Sequence, residues 1–190
     1  MINDYPELEY ICGGEESFGF LAGNHVRDKD AITSALILSE LCNELKNKNS
    51  SFYDRLIECY INYGFFKEKL ITEIAKGKKG AKEIDDKINS FRKNPPKLLD
   101  NSSVVKIYDY KKSLLTKTKN NNLSQIKLPK SNLLIFESSD GTRVAVRPSG
   151  TEPKIKYYFS VNTKLNSKGD FNFKNDFLNK KINSLIKQFI

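Results

Sequence analysis

Within five residues the sequence sets Arg147, Ser149, Gly150 and Thr151, and Lys156 follows shortly after. These types suit an oxyanion. A guanidinium forks two N–H donors toward a phosphate, and the hydroxyls of Ser149 and Thr151 add hydrogen bonds. Gly150 lets backbone N–H groups approach without a Cβ in the way, and Lys156 supplies a point charge. A Pro/Gly hairpin with a solvated basic edge would use a similar composition. The convergence of an arginine, two hydroxyls and a glycine in so short a span favours the phosphate reading.

A second group lies near the start of the chain. After Gly13-Gly14 come Glu15-Glu16-Ser17, then His25, Arg27 and Lys29. Carboxylates beside a serine can hold the hydroxyls of a sugar, although a helix cap or a turn uses the same residues. His25, Arg27 and Lys29 precede a helical pattern, where free N–H groups and the helix dipole favour an anion. His25 is the sole histidine, and a lone histidine is more often a packed loop residue than a catalyst.

The elements that must position these groups follow from periodicity. Leu8–Cys12 reads as a short buried strand ending at Gly13-Gly14, with the Glu15 loop at its C-terminal end, where open α/β sheets place ligands. A helix is predicted over 30–46, capped by Asp28 or Asp30, with Ile32, Leu36, Leu41 and Leu45 on its apolar face. Ser50-Ser51 caps a second helix over 52–63, which Gly64 ends. Beyond it the pattern predicts a strand over 65–74, a Lys/Gly-rich turn over 75–80 and a helix over 81–92 halted by Asn94-Pro95-Pro96. A strand over 104–110 and a loop over 117–124 that buries nothing come next. A hairpin follows around Ser139-Asp140-Gly141, with strands 133–137 and 142–146. A strand over 156–161 and a last helix over 173–189, with Phe177, Leu178, Ile182, Leu185, Ile186 and Phe189 toward the sheet, complete the order.

From Gly64 onward this is an α+β domain, with helices on one face of a mainly antiparallel sheet. One strand and two helices cannot cover one another's apolar faces, so the first 62 residues are expected to belong to a larger α/β domain. Apolar surface left open there predicts self-association.

Composition narrows the function classes. The 190 residues carry 32 Lys plus Arg against 23 Asp plus Glu, a formal net charge of +9. Such a charge attracts anions generally. Here the excess is lysine scattered among asparagine, which argues against a nucleic-acid face built of interleaved arginine and aromatic residues. No apolar run approaches the roughly 18 residues of a membrane span, and no signal-peptide pattern opens the chain, so a cytoplasmic protein without membrane contact is expected. Cys12, Cys42 and Cys59 match no metal spacing and are expected to be buried, reduced thiols.

Taken in order and spacing, Gly13-Gly14-Glu15-Glu16-Ser17-Phe18-Gly19, then Arg27-Asp28-Lys29-Asp30, then Arg147-Pro148-Ser149-Gly150-Thr151-Glu152-Pro153-Lys154 resemble the α-D-phosphohexomutases, in particular the bacterial phosphoglucomutase and phosphomannomutase branch. The resemblance implies a four-domain enzyme that interconverts hexose 1-phosphate and 6-phosphate through a bisphosphorylated sugar, with glucose 1,6-bisphosphate as intermediate or activator. By that likeness residues 1–62 are the end of the third domain and 63–190 the C-terminal domain, of the type found in the TATA-box-binding protein. Glu15 and Ser17 fall where sugar hydroxyls are gripped, flanked by His25 and Arg27. Lys29 falls near the lysine that assists proton transfer. Arg147, Ser149, Gly150, Thr151 and Lys156 fall on the loop for the non-transferred phosphate.

The family's phosphoserine loop, with its Ser-His pair, and its Asp-x-Asp-x-Asp magnesium loop belong to the first two domains. Neither pattern occurs in this sequence. Phosphoryl transfer needs a positioned nucleophile and a metal that neutralises developing charge, so the chain by itself is expected to turn over no substrate. A stand-alone phosphosugar-binding or regulatory module is the alternative.

Overall fold

The computed structural model describes residues 7–15, 18–75, 77–150 and 152–190. They form two compact units, Met1–Glu58 and Cys59–Ile190, with the division inside one helix.

In the first unit, β1 (Cys12–Gly14) pairs antiparallel with β2 (Phe20–Ala22), Gly13 opposite Leu21. The single buried strand predicted over Leu8–Cys12 is corrected here. The ladder begins at Cys12, includes both glycines, and lies exposed or half-buried. An apolar run is buried only where another layer covers it. The described part of this unit offers one short partner strand and helices.

Helix α1 (Ala31–Asn47) starts where predicted. Asp30, not Asp28, is its cap, accepting from the Ile32 N–H at 2.9 Å and the Thr33 N–H at 3.3 Å. Those bonds satisfy first-turn donors and hold the Asp30 carboxyl below its ordinary range, the Thr33 hydroxyl contributing most. Leu45 is the one buried residue of α1. Helix α2 (Phe52–Tyr63) opens on a reciprocal cap, in which the Asp54 N–H donates to Ser51 Oγ and Ser51 Oγ donates to Asp54 Oδ2. Gly64, at φ 101°, ends it.

The second unit is an antiparallel sheet with strand order β3-β10-β9-β8-β5-β6-β7, to which β4 adds a short pairing on β5. The strands are β3 (Phe65–Ile74), β4 (Leu98–Leu99), β5 (Ser102–Asp109), β6 (Leu114–Lys117), β7 (Asn122–Gln125), β8 (Leu134–Ser138), β9 (Arg143–Pro148) and β10 (Lys154–Thr163). Helices α3 (Gly77–Lys93) and α4 (Phe171–Phe189) cover one face. Along β10 the residues alternate strictly. Ile155, Tyr157, Phe159 and Val161 are buried toward the helices, and Lys154, Lys156 and Tyr158 face the other way. Phe136, Phe159 and Phe91 surround Phe189 of α4 with ring centroids 5.3–6.1 Å away, which welds helix to sheet.

Four further expectations are corrected. Helix α3 begins at Gly77, not at Ala81, so most of the predicted turn is helix. Its Gly80 lies so close to Ala75 that an added Cβ would sit 2.5 Å from the Ala75 Cβ, and this packing overrides the weak local propensity of a Gly/Lys run. The predicted loop 117–124 takes in the end of β6, the turn and most of β7, a hairpin whose outer strand is exposed and so shows no apolar pattern. Phe177 is 49% exposed. It stands roughly 100° around the helix from the buried stripe of Leu178, Ile182, Leu185 and Phe189. The cysteines are unpaired, but Cys12 and Cys42 are exposed and Cys59 half-buried, rather than all buried.

Candidate functional site

In the second unit, β9 and β10 run antiparallel into the turn that carries the phosphate-type residues. Pro148 pairs with Ile155 and Arg147 with Lys156. The turn is fastened at both ends. The Ser149 N–H donates to the Lys154 carbonyl at 2.8 Å, and the Ala75 N–H, just past β3, donates to the Pro153 carbonyl at 2.8 Å. Because Gly80 of α3 abuts Ala75, helix, strand end and turn are packed in series.

Arg147, Ser149, Gly150 and Lys156 border one open hollow of about 250 Å³, together with Pro148 and Lys154. The structure therefore brings together four of the five residues assigned to phosphate by sequence. The fifth, Thr151, lies outside the described residues. Arg147 is exposed, and among the described residues no carboxylate pairs with it. At Gly150 an added Cβ would meet nothing within 4 Å, so the backbone there is open to a ligand. Arg147 and Lys156 are cross-strand partners on the face away from the helices, and Lys154 is two residues, roughly 7 Å, along the same face. Three cations thus share one hollow. Lys154 was missed by sequence reasoning, although the period-2 alternation of β10 could have placed it.

In the first unit, Glu15, Arg27 and Lys29 border a hollow of about 260 Å³ with Gly19 and Asp28. Lys29 Nζ lies 3.4 Å from both carboxylate oxygens of Glu15 and 3.7 Å from Asp28 Oδ1. Its aliphatic chain crosses Gly19, where a Cβ would lie 2.2 Å from Lys29 Cδ. Glycine is therefore what lets lysine and carboxylate meet. The Glu15 loop is closed by the Glu15 N–H donating to the Gly19 carbonyl at 2.8 Å, and the Asp30 N–H donates to the Phe20 carbonyl at 2.9 Å, joining β2 to the start of α1. Phe18 holds φ at 67°, a region that bulky residues seldom adopt and that functional loops tend to retain. Ser17 and Glu16 lie outside the described residues. His25 is exposed and is not among the residues lining this hollow. Asp28, which sequence reasoning considered only as a helix cap, is part of it.

A lysine between carboxylates can pass or hold a proton, and carboxylates can accept sugar hydroxyls. A guanidinium beside two ammonium groups can hold a phosphoryl group. Among the described residues no group of three or more His, Cys, Asp or Glu side chains converges as a metal site, and no helix is long and apolar enough to cross a membrane.

Comparison with known proteins meets this geometry. Residues 2–60 match the model of the phosphoglucomutase/phosphomannomutase α/β/α domain III, and residues 88–164 match that of the C-terminal domain of the same family. A phosphoglucomutase of Staphylococcus epidermidis is 38% identical over 156 residues, covering 82% of this chain and 28% of the relative. Phosphoglucomutases of Staphylococcus aureus, at 36% over 84% of the chain, and Staphylococcus haemolyticus, at 33% over 80%, are matched over the same 28% of their length. Among solved structures, the open form of the Paramecium exocytosis-sensitive phosphoprotein pp63/parafusin, a phosphoglucomutase, superposes over 99% of this chain and 32% of its own with a TM-score of 0.57. Its 22% identity speaks for the fold alone. The chain belongs to the phosphoglucomutase/phosphomannomutase family, carries its domain III and C-terminal-domain sequences, and spans 28% of the length of the curated relatives it matches.

Proposed function

We propose, from membership of that family, that this chain supplies the substrate-gripping portion of a cytoplasmic phosphohexomutase that interconverts hexose 1-phosphate and hexose 6-phosphate through a bisphosphorylated sugar. The observation that carries this reading is the hollow bordered by Arg147, Ser149, Gly150 and Lys156, with Arg147 unclaimed by any described carboxylate. Arg147 holds the non-reacting phosphate bidentately, Ser149 and Thr151 donate hydroxyl hydrogen bonds, Gly150 admits backbone N–H groups, and Lys156 adds charge. Glu15 and Ser17 accept and donate to sugar hydroxyls, with His25 and Arg27 beside them. Lys29, held by Glu15 and Asp28, is placed to assist proton transfer. Recognition of a phosphate and of the central hydroxyls, rather than of the reacting end, serves both orientations of a substrate that must turn over between transfers.

In this reading residues 1–62 belong to the third domain and 63–190 to the C-terminal domain. By the family likeness, the magnesium ion and the phosphorylated serine are supplied by the enzyme's first two domains. The chain by itself binds weakly and does not turn over.

Isothermal titration of glucose 1,6-bisphosphate against the wild type and an Arg147→Ala variant tests the phosphate assignment. Loss of two charge-assisted hydrogen bonds should weaken binding about tenfold or more. Equal binding by both proteins removes the assignment. A coupled assay in which the pure chain converts glucose 1-phosphate in a metal-dependent way would overturn the expected inactivity.

A further inference from the structure

We infer, resting on the phosphate-site reading above, that Lys154 is a third cation of that site and that Glu152 is its tethered competitor, a carboxylate that pairs with Lys154 and yields it to a doubly charged phosphate monoester. Lys154 borders the hollow alongside Arg147 and Lys156. Strand alternation puts Lys154 and Lys156 on one face, and Arg147 stands directly across from Lys156. Three like charges around one hollow repel one another, and the charge of Lys154 is neutralised by the loop itself. Lys154 Nζ forms an ion pair with Glu152.

The two ends of this pair differ in freedom. Lys154 is fixed through its backbone, its carbonyl accepting from the Ser149 N–H at 2.8 Å and its N–H donating to the Glu152 carbonyl at 2.7 Å. Its side chain is 30% exposed. The Glu152 side chain is 60% exposed and borders a separate, larger cavity of about 710 Å³ on which Ser149 and Gly150 also lie. Glu152 can therefore withdraw without entering the phosphate hollow. A solvent-exposed ion pair is weakly held. A phosphoryl dianion already gripped by Arg147 offers Lys154 more charge and a better hydrogen-bond acceptor than a single carboxylate does. A singly charged phosphodiester offers no such gain, so the exchange selects free monoester ends.

Titration of glucose 1,6-bisphosphate against the full chain tests this, with variants Glu152→Gln, Lys154→Gln, their combination and Arg147→Ala. Removing the competitor by Glu152→Gln should tighten binding about two- to fivefold, the range set by an exposed ion pair. Lys154→Gln should weaken it about tenfold, and the double variant should match Lys154→Gln, because Glu152 acts only through the lysine. Thermal unfolding of each variant separates a binding effect from a loss of fold. Glu152→Gln that leaves affinity unchanged or lowers it overturns the competitor role. Lys154→Gln with wild-type affinity overturns the third cation. If Arg147→Ala weakens binding while both of these fail, only the present inference falls; if Arg147→Ala changes nothing, the phosphate site itself falls.

Discussion

Arg147 and Lys156 face one another as cross-strand partners at the end of β9 and β10, two cations on one rung of an otherwise well-packed sheet. Like charges directly opposite destabilise a ladder, whereas opposite charges stabilise it by about 0.2–1 kcal/mol. The neighbouring rungs are built for stability, with Val146 and Tyr157 wholly buried. This rung gives up that stability, which is what the proposed anion site requires.

Replacing one of the two cations should therefore trade binding for stability. Lys156→Glu creates an Arg–Glu pair across the strands and should stabilise the domain by about 0.5–1 kcal/mol, while phosphosugar affinity drops. Urea unfolding followed by titration with glucose 1,6-bisphosphate measures both. A variant that is less stable and binds equally well would show that the rung is not a phosphate site.

The β8–β9 hairpin is fixed to α4 by a lysine that is itself nearly buried. Lys181 Nζ donates to Asp140 Oδ2 with 8% of its side chain exposed, and Asp140 also accepts from Ser138 Oγ at 2.6 Å and the Thr142 N–H at 3.1 Å. Burial alone would raise the Asp140 carboxyl, but the bonds from Lys181, Ser138, Ser102 and Thr142 outweigh it and hold the group well below the ordinary carboxylate range. A depressed folded-state value means stability that is complete above about pH 5 and lost as the pH falls below about 4. Asp140→Asn should cost about 2 kcal/mol at neutral pH, the lower part of the range for charge-assisted hydrogen bonds, since a third of the carboxylate side chain faces water. It should also flatten the acid limb of a stability–pH curve. An unchanged acid limb would remove Asp140 as its source.

Gly80 lies within a helix, where glycine-to-alanine exchange ordinarily stabilises by about 1 kcal/mol. Here the added Cβ would lie 2.5 Å from the Ala75 Cβ and 2.9 Å from its carbonyl carbon. Overpacking of this kind costs about 1–3 kcal/mol, so Gly80→Ala should destabilise the domain. Because Ala75 holds the Pro153 carbonyl, the variant should also weaken phosphosugar binding. A more stable variant with normal affinity would refute the close approach.

In the first unit, Ile32 is 84% exposed, Leu36 60% and Leu38 55%. Ile32 and Leu36 lie one turn apart on the same side of α1, and exposed apolar surface of this kind promotes association. The isolated chain should therefore self-associate, and light scattering between about 10 and 300 µM, bracketing ordinary weak-association constants, should show a rising mass. A constant monomer mass across that range would count against it.

Much of the architecture is written in signals that act over a few residues. Asp30 caps α1 and Gly64 ends α2 because each needs only its neighbours' N–H groups or its own φ. The Asp140-Gly141 turn between β8 and β9 is likewise local, with Gly141 at φ 81°. The order Arg147, Ser149, Gly150 points to an oxyanion from the sequence itself, since the donor chemistry of those groups does not depend on what surrounds them. The start of α3 at Gly77, the exposed β6–β7 hairpin and the exposure of Phe177 were not legible, because each is decided by a surface that packs from elsewhere in the chain. The same holds at the candidate site. That Lys154 joins Arg147 and Lys156, that Glu152 claims it, and that Asp28 and Gly19 complete the Lys29–Glu15 contact all depend on cross-strand register and on which side chain passes over which backbone. Sequence alone determined which groups are present and in what order. Tertiary structure decided which of them meet, because a meeting is set by distances between segments that no local rule constrains.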